Sequence, residues 1–194
     1  MYVQRINPLN IYNQEDVFYK FNAFTKPQID AIVNYVKDIT EPYYDDGIDP
    51  PPEEPIINRQ VWDMRLDNHP EMQDFQNRLG EVTAEANKQF GFDIDYLQLM
   101  KYHEYGESNN NLDWHTDLGP DIAAQRKLSF SIMVNDGYEG GQLEIMANSY
   151  KYKVPPHIGG MAIFPSFIPH RVTQVTKGLR GVIVGMWAGN RPYR

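Results

Sequence analysis

The sequence predicts an α+β fold: a double-stranded β-helix, or jelly roll, with two supporting helices ahead of it. Three observations carry this. Two segments in the first half hold apolar residues at helical spacing just after a proline: Ile29, Ile32, Val33 and Val36 after Pro27, and Met72, Phe75, Leu79, Val82 and Ala86 after Pro70. From about residue 92 the pattern changes to short alternating runs punctuated by Gly and Pro. The 13 tyrosines suit a β-rich core with polar tips. Helices followed by about eight short strands define an α+β pattern. Many short antiparallel strands fit a jelly roll, of which the cupin type is one form. No repeat or linker interrupts the chain. One domain over residues 1–194 is expected, with helical support over about 25–90 and the jelly-roll core over about 92–190.

In chain order, residues 1–24 read as irregular chain with a short strand at 17–21. Thr25 can cap a helix over about residues 26–38, whose first turn tolerates Pro27. The acidic stretch 41–55 holds Pro50, Pro51 and Pro52 and excludes regular structure; it is either a surface loop or a lid. Residues 59–66 read as a strand. The second helix covers about 70–89 and ends at Gly91, with His69 as a cap or surface residue. The next strand runs through Tyr102, with Ile94, Tyr96, Gln98 and Met100 on one face and Leu97 and Leu99 on the other. After the polar loop 107–111 come a strand holding His115, a turn at Gly119-Pro120, and strands over 127–135, 142–145, 151–154 and 160–164. Segments 171–175 and 179–186 read as a hairpin turning at Lys177-Gly178. That hairpin would set Arg180 one strand over from His170, with Val182 and Val184 on its inward face.

Composition removes several function classes. The net charge is −8, with 18 basic against 26 acidic residues and no basic stripe, which disfavours a nucleic-acid partner. The chain has no cysteine, so a disulfide framework, a zinc-thiolate site and a thiol nucleophile are all absent. A transition metal would have to sit on His, Asp or Glu. No apolar run approaches the length of a membrane span, and residues 1–5 do not open a signal peptide. A cytoplasmic protein without membrane attachment is expected.

Chemistry concentrates in Asp113-Trp114-His115-Thr116-Asp117. Residues two apart on a strand share a face, so His115 and Asp117 would aim at one point. A lone His-x-Asp is most often a surface pair. Here His170 follows an apolar run downstream, and two imidazoles with one carboxylate on one face of a metal form the facial triad of non-haem Fe(II) oxygenases. Arg180 adds an inward cation, costly unless paired and well shaped to grip a carboxylate with two hydrogen bonds. Arg126 and Lys127 are alternative anchors. A small dicarboxylate could chelate the metal at one end and meet the arginine at the other. His103 reads as a surface residue, His157 as part of a turn, and Ser129 as facing either side. Trp114 and Trp187 read as packing, unless a bulge at Gly185 turns Trp187 inward.

These pieces resemble the Fe(II)/2-oxoglutarate-dependent dioxygenases, in particular the prolyl 4-hydroxylase-like branch. The resemblance covers about residues 94–190. It rests on Tyr102, Trp114-His115-Thr116-Asp117, Lys127-Leu128-Ser129, Gly140-Gly141-Gln142-Leu143, Phe164-Pro165-Ser166, His170-Arg171-Val172 and Gly178-Leu179-Arg180. The resemblance implies that His115, Asp117 and His170 hold Fe(II). It further implies that Arg180 holds the distal carboxylate of 2-oxoglutarate, with a hydrogen bond from Tyr102 or Tyr105; Tyr102 continues the strand pattern better.

The implied activity consumes 2-oxoglutarate and O2, releases succinate and CO2, and hydroxylates a C–H bond, with ascorbate as reductant. The ligand Asp117 favours hydroxylation over halogenation. The branch points to a prolyl residue in a peptide or protein. The alternatives are free proline or another small molecule, or a non-catalytic jelly-roll binding module. The nucleobase-repair branch is disfavoured, because Met186 stands where that branch carries a second arginine.

Overall fold

The computed structural model describes residues 16–44, 59–64, 69–107, 112–147 and 150–191. Of the stretch 41–55 expected to form a loop or lid, residues 45–55 lie outside the described residues. In chain order the elements are β1 (Phe18–Lys20), α1 (Lys26–Ile39), β2 (Tyr43–Tyr44), β3 (Arg59–Asp63), α2 (Pro70–Phe90), β4 (Tyr96–Tyr105) and β5 (Leu112–His115). A 3-10 turn (Asp121–Gln125) leads to β6 (Arg126–Met133), β7 (Glu139–Gly140), β8 (Leu143–Ala147), β9 (Tyr150–Lys153), β10 (Met161–Pro165), β11 (His170–Val172), β12 (Val175–Lys177) and β13 (Arg180–Ala188).

Both helices form for the reasons their sequences give. Thr25 accepts from the Gln28 backbone N–H while the Gln28 side chain returns to the Thr25 N–H, a complete capping box. Gly91 ends α2 in the left-handed region at φ 69°, where glycine alone carries no Cβ penalty. Ile29, Ile32, Val33 and Val36 of α1 are buried, as are Met72, Phe75, Leu79, Val82 and Ala86 of α2. No helix among the described residues is long and apolar enough to cross a membrane.

The strands form a jelly roll of two main antiparallel sheets. The larger runs β1-β10-β6-β13-β4-β3-β2, the smaller β5-β11-β8-β9, and β12 pairs with β7. One face of the large sheet packs on the helices through Trp62, Met100, Tyr102, Leu128, Phe130, Ile132 and Ile183. A second core, with Ile145, Phe164, Val172 and Val182 among its members, fills the space towards the small sheet. A cavity opens between these layers, and strand alternation on β4, β6 and β13 decides which side chains reach it.

Three local expectations are corrected. Segments 171–175 and 179–186 do not form a hairpin: β11 pairs with β5 and β8, while β13 pairs with β4 and β6. The chain does turn at Gly178, with φ 79°, but it passes between sheets, so His170 and Arg180 lie on different walls of the cavity. Tyr43 and Tyr44, expected in irregular chain, add a short edge strand to β3. Leu97 and Leu99 do not share a face. Met186 pairs with Leu99 and Trp187 with Leu97, so Gln98 is the extra residue of a bulge. Leu97 therefore joins the helix-facing core and Leu99 the cavity.

Candidate active site

His115 and His170 are direct register partners on β5 and β11, which brings their rings to a 4.3 Å centroid separation. Asp117 lies two residues past His115. The Asp117 N–H donates to the Ser166 carbonyl at 2.9 Å, and Arg126 Nη1 donates to the Asp117 carbonyl at 2.9 Å. Asp117 Oδ1 is 3.8 Å from His115 Nε2, and Oδ2 is 3.5 Å from His170 Nε2. One ligand atom from each of the three residues falls within 4.8 Å of the others. Ligands of one first-row ion with bonds of about 2.1 Å stand roughly 3–4 Å apart, so this spacing suits a metal.

The surrounding hydrogen bonds leave the correct atoms available. His115 Nδ1 lies 2.7 Å from the Asp113 carbonyl and His170 Nδ1 lies 3.1 Å from the Ile168 carbonyl. A carbonyl can only accept, so both Nδ1 atoms carry protons and both Nε2 lone pairs are open to a cation. Burial, reinforced by His115, holds the His170 imidazole below its ordinary pKa against the opposing pull of Asp117, favouring the neutral ligating form. Ser129 donates to Asp117 Oδ2 at 2.5 Å. The sequence allows Ser129 either side of its strand; its face follows once Ser129 and Ser131 are placed opposite Met186 and Val184.

The cavity beside the triad has a volume of about 240 Å³. Leu99, Leu112, Val184 and Met186 give it apolar walls, and Arg59, Lys101, His103, Tyr105 and Arg180 also reach it. Arg180 is 1% exposed, and its Nε and Nη1 meet no acceptor among the described residues. Its guanidinium lies 5.3 Å from the ring of Tyr105, its register partner on β4. Gly141, at φ 60°, makes room for the stem: a Cβ there would stand 2.6 Å from Arg180 Cδ. A buried fork with unused donors at the end of a cavity is what an anionic ligand would complete.

Tyr102 is not part of this cavity. It points to the opposite face of β4, where its ring lies 5.3 Å from Trp62 and its hydroxyl donates to Glu104 at 2.7 Å. Burial, and then Glu104, push its pKa well up. Tyr105 is the strand tyrosine that reaches the cavity. His103, expected at the surface, is buried and lines the cavity as well. Both corrections follow from alternation on β4, which the register with β13 sets. The two alternative anchors are engaged elsewhere. Arg126 Nε donates to Gln98, and Lys127 Nζ donates to the Arg191 carbonyl. Trp187 packs on the helix-facing core, and Trp114 lies under the Arg171 guanidinium at 4.9 Å. His157 stays exposed, 2.9 Å from Asn22 Oδ1, and His69 stacks on Tyr35.

The jelly roll thus carries a His-Asp-His cluster, suited to a metal ion, beside a cavity. The family model of the 2OG-Fe(II) oxygenase superfamily matches residues 100–189. Over that stretch the chain is similar to this superfamily, and its fold is like that of prolyl 4-hydroxylases. A "PKHD-type hydroxylase" of Synechococcus sp. (strain CC9311) is 38% identical over 81 residues, covering 41% of this chain and 37% of that protein. The match therefore spans less than two thirds of that relative. A Pseudomonas putida prolyl-4-hydroxylase superposes with TM-score 0.70 at 16% identity, over 91% of this chain and 94% of the other. A Trichoplax adhaerens prolyl hydroxylase, in complex with a hypoxia inducible factor peptide fragment, gives 0.70 at 15% identity over 93% and 86%.

Proposed function

We propose that the chain is an Fe(II)- and 2-oxoglutarate-dependent dioxygenase that hydroxylates a prolyl residue in a peptide or protein, releasing succinate and CO2. The observation that carries this is the pairing of two features in one cavity. Three metal-suited side chains converge on one wall, and a buried arginine with unused donors stands on another. His115 Nε2, Asp117 and His170 Nε2 would hold the iron, which when bound supplies the activation of O2. Arg180 would take the distal carboxylate of 2-oxoglutarate with its free N–H groups. Tyr105, whose ring lies 5.3 Å from the Arg180 guanidinium, would stand beside that carboxylate in place of Tyr102. The apolar walls formed by Leu99, Leu112, Val184 and Met186 exclude water from the reacting centre. Ascorbate would keep the metal reduced.

The prolyl substrate is supported by the likeness to the prolyl hydroxylases of Pseudomonas putida and Trichoplax adhaerens, the latter holding a peptide. The test incubates the purified protein with Fe(II), ascorbate and 2-oxoglutarate, with and without proline-rich peptides, free proline and a cell extract. Succinate formation coupled to one added oxygen on a prolyl peptide is the expected result. Oxygen added only to free proline would move the assignment to a small-molecule hydroxylase. No succinate under any condition, with metal bound, would indicate a non-catalytic module.

A further inference from the structure

We infer that His103 is a direct contact of the co-substrate: its Nε2–H donates to the carboxylate that Arg180 grips, while Tyr105 holds the ring by donating to Nδ1. This rests on the reading of Arg180 as the carboxylate anchor. His103 is only 7% exposed and sits two residues before Tyr105 on the inward face of β4. Its register partner on β13 is Val182, two residues from Arg180 on the same face. Diagonal neighbours of this kind stand close enough for long side chains to share one ligand. His103 Nδ1 lies 3.3 Å from the Tyr105 hydroxyl, but its Nε2 is buried without a partner. Buried ring nitrogens are normally satisfied. The unsatisfied atoms Nε2 of His103 and Nε and Nη1 of Arg180 therefore lie on adjacent inward positions of one wall, and all belong to side chains lining one cavity.

The tautomer follows from charge. Burial first, then Arg59 on β3, Lys101 on β4 and Arg180 on β13, keep the imidazole neutral. A neutral ring has one donor and one acceptor nitrogen. A bare Nε2 lone pair would repel a carboxylate, whereas an Nε2–H attracts it. A bound anion therefore selects the Nε2–H form, and the Nδ1 lone pair accepts the Tyr105 hydroxyl proton. The same three cations make this end of the cavity a favourable place for an anion.

The test uses the full chain loaded with Fe(II) under anaerobic conditions. Calorimetry measures the affinity for 2-oxoglutarate and for 2-oxovalerate, in which a methyl group replaces the distal carboxylate. His103→Leu is expected to weaken 2-oxoglutarate binding about tenfold, the scale of one hydrogen bond to a charged group. It should leave 2-oxovalerate and Fe(II) affinity unchanged. His103→Gln, whose amide N–H can reach the same point, should restore most of the loss. Equal weakening for both keto acids, or none for either, overturns the inference. Arg180→Leu separates it from the parent reading: if that variant also binds 2-oxoglutarate normally, the co-substrate assignment itself fails. Should His103→Leu not fold, nitrogen NMR of the Zn(II)-loaded wild type decides. An Nε2-protonated His103 on adding 2-oxoglutarate supports the contact, and an Nδ1-protonated ring overturns it.

Discussion

Ser129 on β6 gives its hydroxyl proton to Oδ2 of Asp117 across 2.5 Å, and Ser166 Oγ lies 2.9 Å from the same hydroxyl. Asp117 is thus held at three points: its Oδ2 accepts from Ser129, its backbone N–H donates to the Ser166 carbonyl and its backbone carbonyl accepts from Arg126. This support comes from β6 and the segment after β10, which are themselves paired. The metal-ligating geometry is therefore a property of the large sheet as much as of the strand bearing His115.

Ser129→Ala should lower Fe(II) affinity by about tenfold, the lower range for residues that orient a metal ligand. The fold should survive, because the change removes one oxygen and adds no bulk. A metal titration followed by thermal denaturation checks both halves. Wild-type affinity would mean that the backbone contacts of Asp117 suffice alone.

Asp117→Ala and His115→Ala should each abolish tight Fe(II) binding and 2-oxoglutarate turnover while leaving the circular dichroism spectrum unchanged. Both side chains sit at the mouth of the cavity and not in either apolar core. Retained turnover in both variants would sink the metal assignment.

Arg180→Lys keeps the charge and loses the planar fork, so the KM for 2-oxoglutarate should rise roughly tenfold with little change in iron affinity. Gly141→Ala should produce a similar rise without touching the arginine. Its Cβ would stand 2.6 Å from Arg180 Cδ, and φ 60° is unfavourable for alanine. If Gly141→Ala binds 2-oxoglutarate normally, the position of the guanidinium is not critical.

The helices were legible because their period is local: every apolar residue named on α1 and α2 faces the core. The triad could be proposed because His-x-Asp is a local motif, although β5 ends at His115 and Asp117 reaches the same point from the bend that follows it. Which of Tyr102 and Tyr105 reaches the cavity was not legible, for a physical reason. β4 is central in its sheet and buried on both faces, Met100 and Tyr102 towards the helices and His103 and Tyr105 towards the cavity. Hydrophobicity then carries no information about side, and parity is set by pairing with β13 and the bulge at Gln98. The mistaken hairpin has a similar origin. Gly178 signals a turn, but a turn does not say which strands the flanking segments join.

Acid should destabilise the metal-free protein partly through His103. Burial first, then the cations Arg59, Lys101 and Arg180, hold its folded-state pKa well below the ordinary value, and the Tyr105 hydroxyl faces its Nδ1. In the unfolded chain it titrates near its usual pKa of about 6.5. Above that pH both states are neutral at this residue and it contributes no slope. Below it the unfolded state gains a proton that the folded state refuses. Stability is therefore present in full at neutral pH and lost as pH falls from about 6.5 towards the folded pKa. The limiting slope for one such group is about a tenfold change in the unfolding constant per pH unit. His103→Leu removes this titration. Urea denaturation of the metal-free wild type and variant, from about pH 8 down to about pH 5, should show wild-type stability falling more steeply below the histidine range. Parallel curves would show that the ring accepts a proton in the folded state, so that burial among three cations does not keep it neutral.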